Sequence, residues 1–132
     1  DMNADTRWKQ RFQNYQKVIN NLEEALAKPS HTKLERAGVI QFYEFTFELG
    51  WKTIKDYLEE NEVLAKFPRD VIKEAFKYEI VEDGELWLDM LQKRNLMAHT
   101  YDESTADLAF DLINRSYFPA LKQLYEKLRA EL

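Results

Sequence analysis

The chain has 132 residues, 45% of them hydrophobic and 14% aromatic, which excludes a disordered segment and predicts one domain over 1–132 with a buried core. It contains no cysteine, so a disulfide framework and a thiolate site are both excluded. The formal net charge of −5 excludes a protein that coats nucleic acid non-specifically, and any RNA contact must be local or assembled from more than one chain.

With 3 Gly and 3 Pro there is little material for hairpins, which favours helices joined by short loops. No apolar run approaches ~20 residues and no signal peptide is evident. A soluble, cytoplasmic protein without a membrane partner is expected.

The first helix is expected over about 6–27, where Trp8, Phe12, Tyr15, Ile19, Leu22 and Leu26 alternate steps of four and three. Such a stripe is read as core. Pro29 and Ser30 end it, and Thr32-Lys33-Leu34-Glu35 has the form of a capping box that opens a second helix over about 33–61. That helix is apolar on more than one face, so it is either central in a bundle or also faces a partner. Glu44 and Glu48 lie one turn apart within it. The preferred account is solvent exposure or pairing with Lys52 and Lys55, and the sharper one is that they fix an arginine from another helix, Arg94 being the candidate.

Phe67-Pro68 opens a third, short helix in which Val71, Ile72, Ala75 and Phe76 are expected to face inward. Arg69, Lys73 and Lys77 form a basic row, usually a solvated face but also the best candidate for RNA phosphate contacts. Glu79, Glu82, Asp83 and Glu85 precede a fourth helix leading into Arg94-Asn95-Leu96-Met97-Ala98-His99-Thr100-Tyr101. A last helix is expected near Ser104, with Ser104-Thr105-Ala106-Asp107 as capping box, lined by Leu108, Leu112, Tyr117 or Phe118, Leu121, Leu124 and Leu128. Pro119 predicts a kink or break near Tyr117. The reading is all-α, an up-and-down helical bundle of four to five helices.

Chemistry concentrates in the 94–101 stretch. One useful histidine with no spaced partner argues against a metal site, and no glycine-rich phosphate loop or serine nucleophile motif is present, so neither metal nor cofactor is expected. Arginine plus histidine suits metal-free work on a phosphodiester. An imidazole, titrating near ~6.5, can take a proton from a ribose 2′-hydroxyl, while a guanidinium holds the phosphate. Residues five apart on an ideal helix diverge by ~140°, so either the helix ends before His99 or the site is built from two subunits. A symmetric dimer would bring two copies of His99 together. The plainer alternative, an arginine and a histidine that only cap and hydrogen-bond, stays open.

Arg94-Asn95-x-x-x-His99-x-Tyr101 resembles the signature of HEPN-domain proteins, in the version carried by the HEPN toxin paired with a minimal nucleotidyltransferase. Phe45-Thr46-Phe47-Glu48-Leu49-Gly50-Trp51-Lys52, Lys73-Glu74-Ala75-Phe76, Asp83-Gly84-Glu85-x-Trp87 and His99-Thr100-Tyr101-Asp102-Glu103 are similar, in order, to the nucleotidyltransferase substrate-binding protein family. Tyr78 and Glu79 depart from it, standing where a small residue and a glycine are expected. The resemblance implies a HEPN-like bundle that dimerises with its motifs near the interface. It also implies a metal-independent ribonuclease toxin, with Arg94 and His99 catalytic and Asn95 supporting. Tyr101 would be the acceptor of nucleotides that silence it, added by the partner nucleotidyltransferase. The alternative role it implies is a non-catalytic subunit that presents substrate or nucleotide to that enzyme.

Overall fold

The computed structural model describes residues 4–132, all of whose regular structure is helical. Helix α1 (Ala4–Leu26) carries the predicted stripe, with Trp8, Phe12, Tyr15, Ile19 and Leu22 buried. After the short loop that contains Pro29, helix α2 (Lys33–Glu60) returns along it. The predicted capping box is formed: Thr32 Oγ1 accepts from the Glu35 amide at 3.1 Å and Glu35 Oε1 accepts from the Thr32 amide at 2.9 Å.

Helix α2 is apolar on several sides because it is central. It packs on α1, on α3 (Pro68–Lys77), on α6 (Glu103–Leu112) and on α7 (Phe118–Arg129). Its buried threonines remain satisfied without leaving the helix, Thr46 and Thr53 donating to the Phe42 and Leu49 carbonyls at 2.7 and 2.6 Å. Gly50 lets other elements approach the α2 backbone. A Cβ there would lie 3.2 Å from the Tyr15 ring and 3.5 Å from Trp87 of α4 (Gly84–Gln92).

Both α2 and α3 end in the two-bond motif that turns the chain through a left-handed residue. Val63 donates to the Leu58 carbonyl and Glu62 to Glu59; Ile80 donates to Ala75 and Glu79 to Phe76. Glu62 and Glu79 take φ of 64° and 61°. The glycine expected at position 79 is thus replaced without loss of the turn, at a local strain of about 1–2 kcal/mol.

Three expectations are corrected. Phe76 does not face inward: it is 55% exposed, because its ring lies across the bare backbone of Gly84, where a Cβ would come within 2.9 Å. Leu108 is 51% exposed, and the buried line runs instead through Ala109, Ile113, Tyr117, Leu121, Leu124 and Leu128. The cap of α6 is Asp102, whose carboxylate takes the Thr105 amide and the Ser104 and Thr105 hydroxyls. Near Tyr117 the expected irregularity is a π-helical turn, Ile113–Tyr117, that joins α6 to α7 without a break. Pro119 has no amide to donate and its ring crowds the carbonyl four residues back, and the wider turn makes room for it.

Candidate functional site

Helix α4 is started by Asp83, whose carboxylate accepts from the Leu86 amide at 3.0 Å, and it stops at Gln92. A single turn, α5 (Arg94–Met97), follows after the turn residue Lys93, and residues 98–102 turn into α6. The helix therefore ends before His99, and the divergence expected of an unbroken helix does not apply. Met97 is buried and roots this stretch in the core.

Asp89 anchors the approach. Its two carboxylate oxygens take the Lys93 ammonium at 2.7 Å and the Tyr117 hydroxyl at 2.5 Å, tying α4 to the π-helical turn. The Lys93 ammonium first, and the Tyr117 hydroxyl second, hold the Asp89 carboxyl below its ordinary range. Tyr117, its phenol pushed up by burial foremost and then by Asp89, stacks on Tyr43 at 5.6 Å.

Arg94 is held from α2. Its Nη1 donates to Glu48 Oε2 at 3.0 Å, while the other Glu48 oxygen accepts from the Trp51 indole at 3.3 Å and lies 3.9 Å from Lys52. The sharper of the two accounts of Glu48 is the correct one, with the Lys52 contact as the weaker arm. Glu44 takes no ion pair or hydrogen bond from another described residue, and burial raises its carboxyl pKa. Arg94 retains donors beyond the one that Glu48 takes, in a fork suited to phosphate oxygens.

Asn95, His99 and Tyr101 are exposed. The His99 ring has no hydrogen bond to another described residue and meets the Tyr101 ring edge-on at 6.0 Å. Tyr101 is 87% exposed, and it lines a cavity of about 180 Å³ with Lys33, Arg36, Glu103 and Asp107 among its walls. Lys33 pairs with Glu103 at 2.7 Å and Arg36 with Asp107 at 2.5 Å. The site is thus an anchored cation followed by an imidazole and a phenol that have no hydrogen-bond partner among the described residues, a set able to bind a phosphodiester and exchange a proton with it. Among the described residues no group of three or more histidine and acidic side chains could hold a metal.

The basic row is elsewhere. Arg69, Lys73 and Lys77 are exposed on α3, which packs on α2 and α4, and Asp70 and Glu74 interleave with them. Lys77 leans over the Tyr78 ring at 5.5 Å. The remaining histidine, His31, sits 2.8 Å from the Ala25 carbonyl and packs on Phe110, as a loop fastening does. Sequence reasoning did not single out Tyr43. It is buried, and its hydroxyl has no hydrogen-bond partner among the described residues. The available signal was two glutamates in the middle of the most apolar helix, on either side of Phe47 and next to Tyr43.

A family model described as "nucleotidyltransferase substrate binding protein like" matches residues 10–130. The curated "Probable ribonuclease HepT" of Haemophilus influenzae is 32% identical over 75 residues, 53% of this chain and 51% of that protein. The match thus spans about half the length of that relative. A crystal structure from Thermus thermophilus superposes with a TM-score of 0.79 at 31% identity, covering 87% of this chain and 98% of that one. A Haemophilus influenzae structure, described as revealing the fold of a substrate binding domain of a nucleotidyltransferase, gives a TM-score of 0.68 at 24% identity. It covers 96% of this chain and 99% of its own, and at that identity the likeness is one of fold. No helix among the described residues is long and apolar enough to cross a membrane.

Proposed function

We propose, from the premise that this chain belongs to the nucleotidyltransferase substrate binding protein like family, that it is the HEPN subunit of a two-component system with a minimal nucleotidyltransferase. In this reading it is a metal-independent endoribonuclease. The observation that carries the proposal is the pairing of a fixed Arg94, held by Glu48, with a His99 ring that has no hydrogen-bond partner among the described residues. In the reaction His99 takes the proton of a ribose 2′-hydroxyl and that oxygen attacks the adjacent phosphorus. The bond to the 5′-oxygen breaks, that oxygen takes up a proton, and the products are a 2′,3′-cyclic phosphate and a 5′-hydroxyl. Arg94 binds the phosphate oxygens as charge grows on them, and Asn95 supports it. Purified protein is expected to cut single-stranded RNA in the presence of EDTA and leave cyclic phosphate ends; no cleavage by the folded protein refutes the reading.

The proton for the leaving oxygen calls for a second acid, which a second copy's His99 supplies in a two-fold dimer. Phe45, one turn before Glu48 on α2, is exposed beside the site and gives such a contact an apolar element. Light scattering at micromolar concentration is expected to report a dimer, and a stable monomer removes this part of the mechanism.

Tyr101 is the acceptor through which the partner enzyme silences the site. Its reach into solvent allows a second active site to engage it, and the phosphates attached there would add negative charge beside Arg94. Coexpression with the nucleotidyltransferase is expected to raise the mass by whole nucleotide units mapped to Tyr101, and Tyr101→Phe to remain unmodified and active. A Tyr101→Phe variant neutralised as well as wild type would assign inhibition to binding alone. The non-catalytic reading, a subunit presenting nucleotide to its partner, draws on the family's description and predicts a stable complex with no cleavage. Arg69, Lys73 and Lys77 belong to the RNA reading as secondary contacts, their field reduced by Asp70 and Glu74.

A further inference from the structure

Beneath Arg94, between α2 and α5, Tyr43, Glu44, Phe47, Glu48, Arg94 and Met97 enclose a cavity of about 170 Å³. Sites for drug-sized ligands run to ~300–1,000 Å³, so this one takes a single ring system and leaves a sugar and phosphate outside. One of its polar groups has no partner among the described residues: Glu44 is a half-buried carboxyl with neither ion pair nor hydrogen bond. The Tyr43 hydroxyl is closed off from anything the size of a water molecule, so Tyr43 offers the cavity its ring and not its oxygen. A half-buried carboxylate left unmet is a standing penalty in the free protein, reduced when a ligand supplies the missing bond.

The walls exclude most ligand classes. An anion in the cavity meets two carboxylates, and a metal cation meets the Arg94 guanidinium. An aliphatic ligand would leave Glu44 without a partner. A flat, neutral ring that donates hydrogen bonds at its edge satisfies it, with its faces against Phe47 and Met97. Among nucleobases, guanine carries adjacent N1–H and N2–H donors that a carboxylate accepts side by side. Uracil flanks its one ring N–H with two carbonyls that a carboxylate repels. Adenine and cytosine set a donor beside a ring acceptor.

We propose that this cavity is a guanine-selective base pocket, in which Glu44 accepts from N1–H and N2–H and the attached phosphate lies on the outer donors of Arg94. The proposal rests on the RNA reading of the site and assigns its specificity. It places the base 5′ to the scissile phosphate.

The probes are the four nucleoside 3′-monophosphates, titrated onto wild-type protein and followed by chemical shifts. Guanosine 3′-monophosphate is expected to bind about tenfold or more tighter than the other three, the range of one good bidentate base contact. Glu44→Gln is expected to bring all four within about threefold of one another. Equal affinity of wild type for the four nucleotides, or a preference that survives Glu44→Gln, overturns the pocket. Cleavage of defined oligonucleotides separates the two readings. RNA cut equally at every step leaves the ribonuclease and removes the pocket, whereas selective guanosine binding without any cleavage leaves the pocket and removes the ribonuclease.

Discussion

His99→Ala is expected to lower the RNA cleavage rate by about 10²–10⁴-fold, the usual contribution of a positioned general base or acid. The protein loses little else, because the ring is exposed and holds no hydrogen bond to another described residue. Helical content and melting temperature are therefore expected to stay at wild-type values, which separates chemistry from folding. Arg94→Ala should give a loss of similar order through the missing charge at the phosphate. Its pair with Glu48 is half exposed on both sides, and such pairs contribute roughly 0–1 kcal/mol to stability, too little to unfold the chain. Single-turnover cleavage of a labelled oligonucleotide, read beside circular dichroism, measures both. Cleavage that persists in His99→Ala would belong to another site or another protein.

Trp87→Ala is expected to reduce stability by about 3–5 kcal/mol, against a total of ~5–15 kcal/mol for a domain. The indole is fully buried at the meeting of α2 and α4, 5.9 Å from the Phe47 ring and against Gly50, where no side chain is available to fill the void. Its N–H is buried with no hydrogen-bond partner among the described residues, so the ring's contribution is packing alone. Trp87→Phe keeps most of the volume and removes the unmet donor, and should cost about 1.5 kcal/mol or less. Urea denaturation distinguishes the two, and equal losses would show that α4 does not depend on ring volume. Because α4 leads directly into α5, cleavage should fall in proportion to the unfolded fraction, unlike the loss in His99→Ala.

The helices were legible wherever local chemistry decides the outcome. The stripe from Trp8 to Leu22 fixed the buried face of α1, and the Thr32 capping box fixed the start of α2, because each signal needs only a few neighbouring residues. Errors came where a competing residue or a tertiary contact decides. Asp102 outcompetes Ser104 as a cap because its carboxylate takes three donors at once. Phe76 has inward spacing, but the bare Gly84 backbone supplies an outer surface for its ring. Of the site, the residue types and their order were visible, and so was the choice between an early helix end and a site built from two subunits. The clamp from Glu48 was not decided, since an arginine 46 positions away and a lysine one turn away satisfy a glutamate equally well on paper. The unmet hydroxyl of Tyr43 was invisible, because a tyrosine's partner, or lack of one, is a property of the packed core.

The π-helical turn at Ile113–Tyr117 also sets the phase of everything after it. Ala109, Ile113, Tyr117 and Leu121 follow one another at steps of four, and in an unbroken α-helix each such step overshoots a turn by ~40°. The wider turn holds an additional residue, so a step of four there falls short and cancels accumulated rotation. The rod from 103 to 129 is in this sense one residue longer than its α-helical equivalent, and that residue keeps Leu121, Leu124 and Leu128 on the same buried side as Ala109. The Tyr117 hydroxyl thereby meets Asp89, which links the placement of the Arg94 segment to a count of residues in a helix on the far side of that carboxylate.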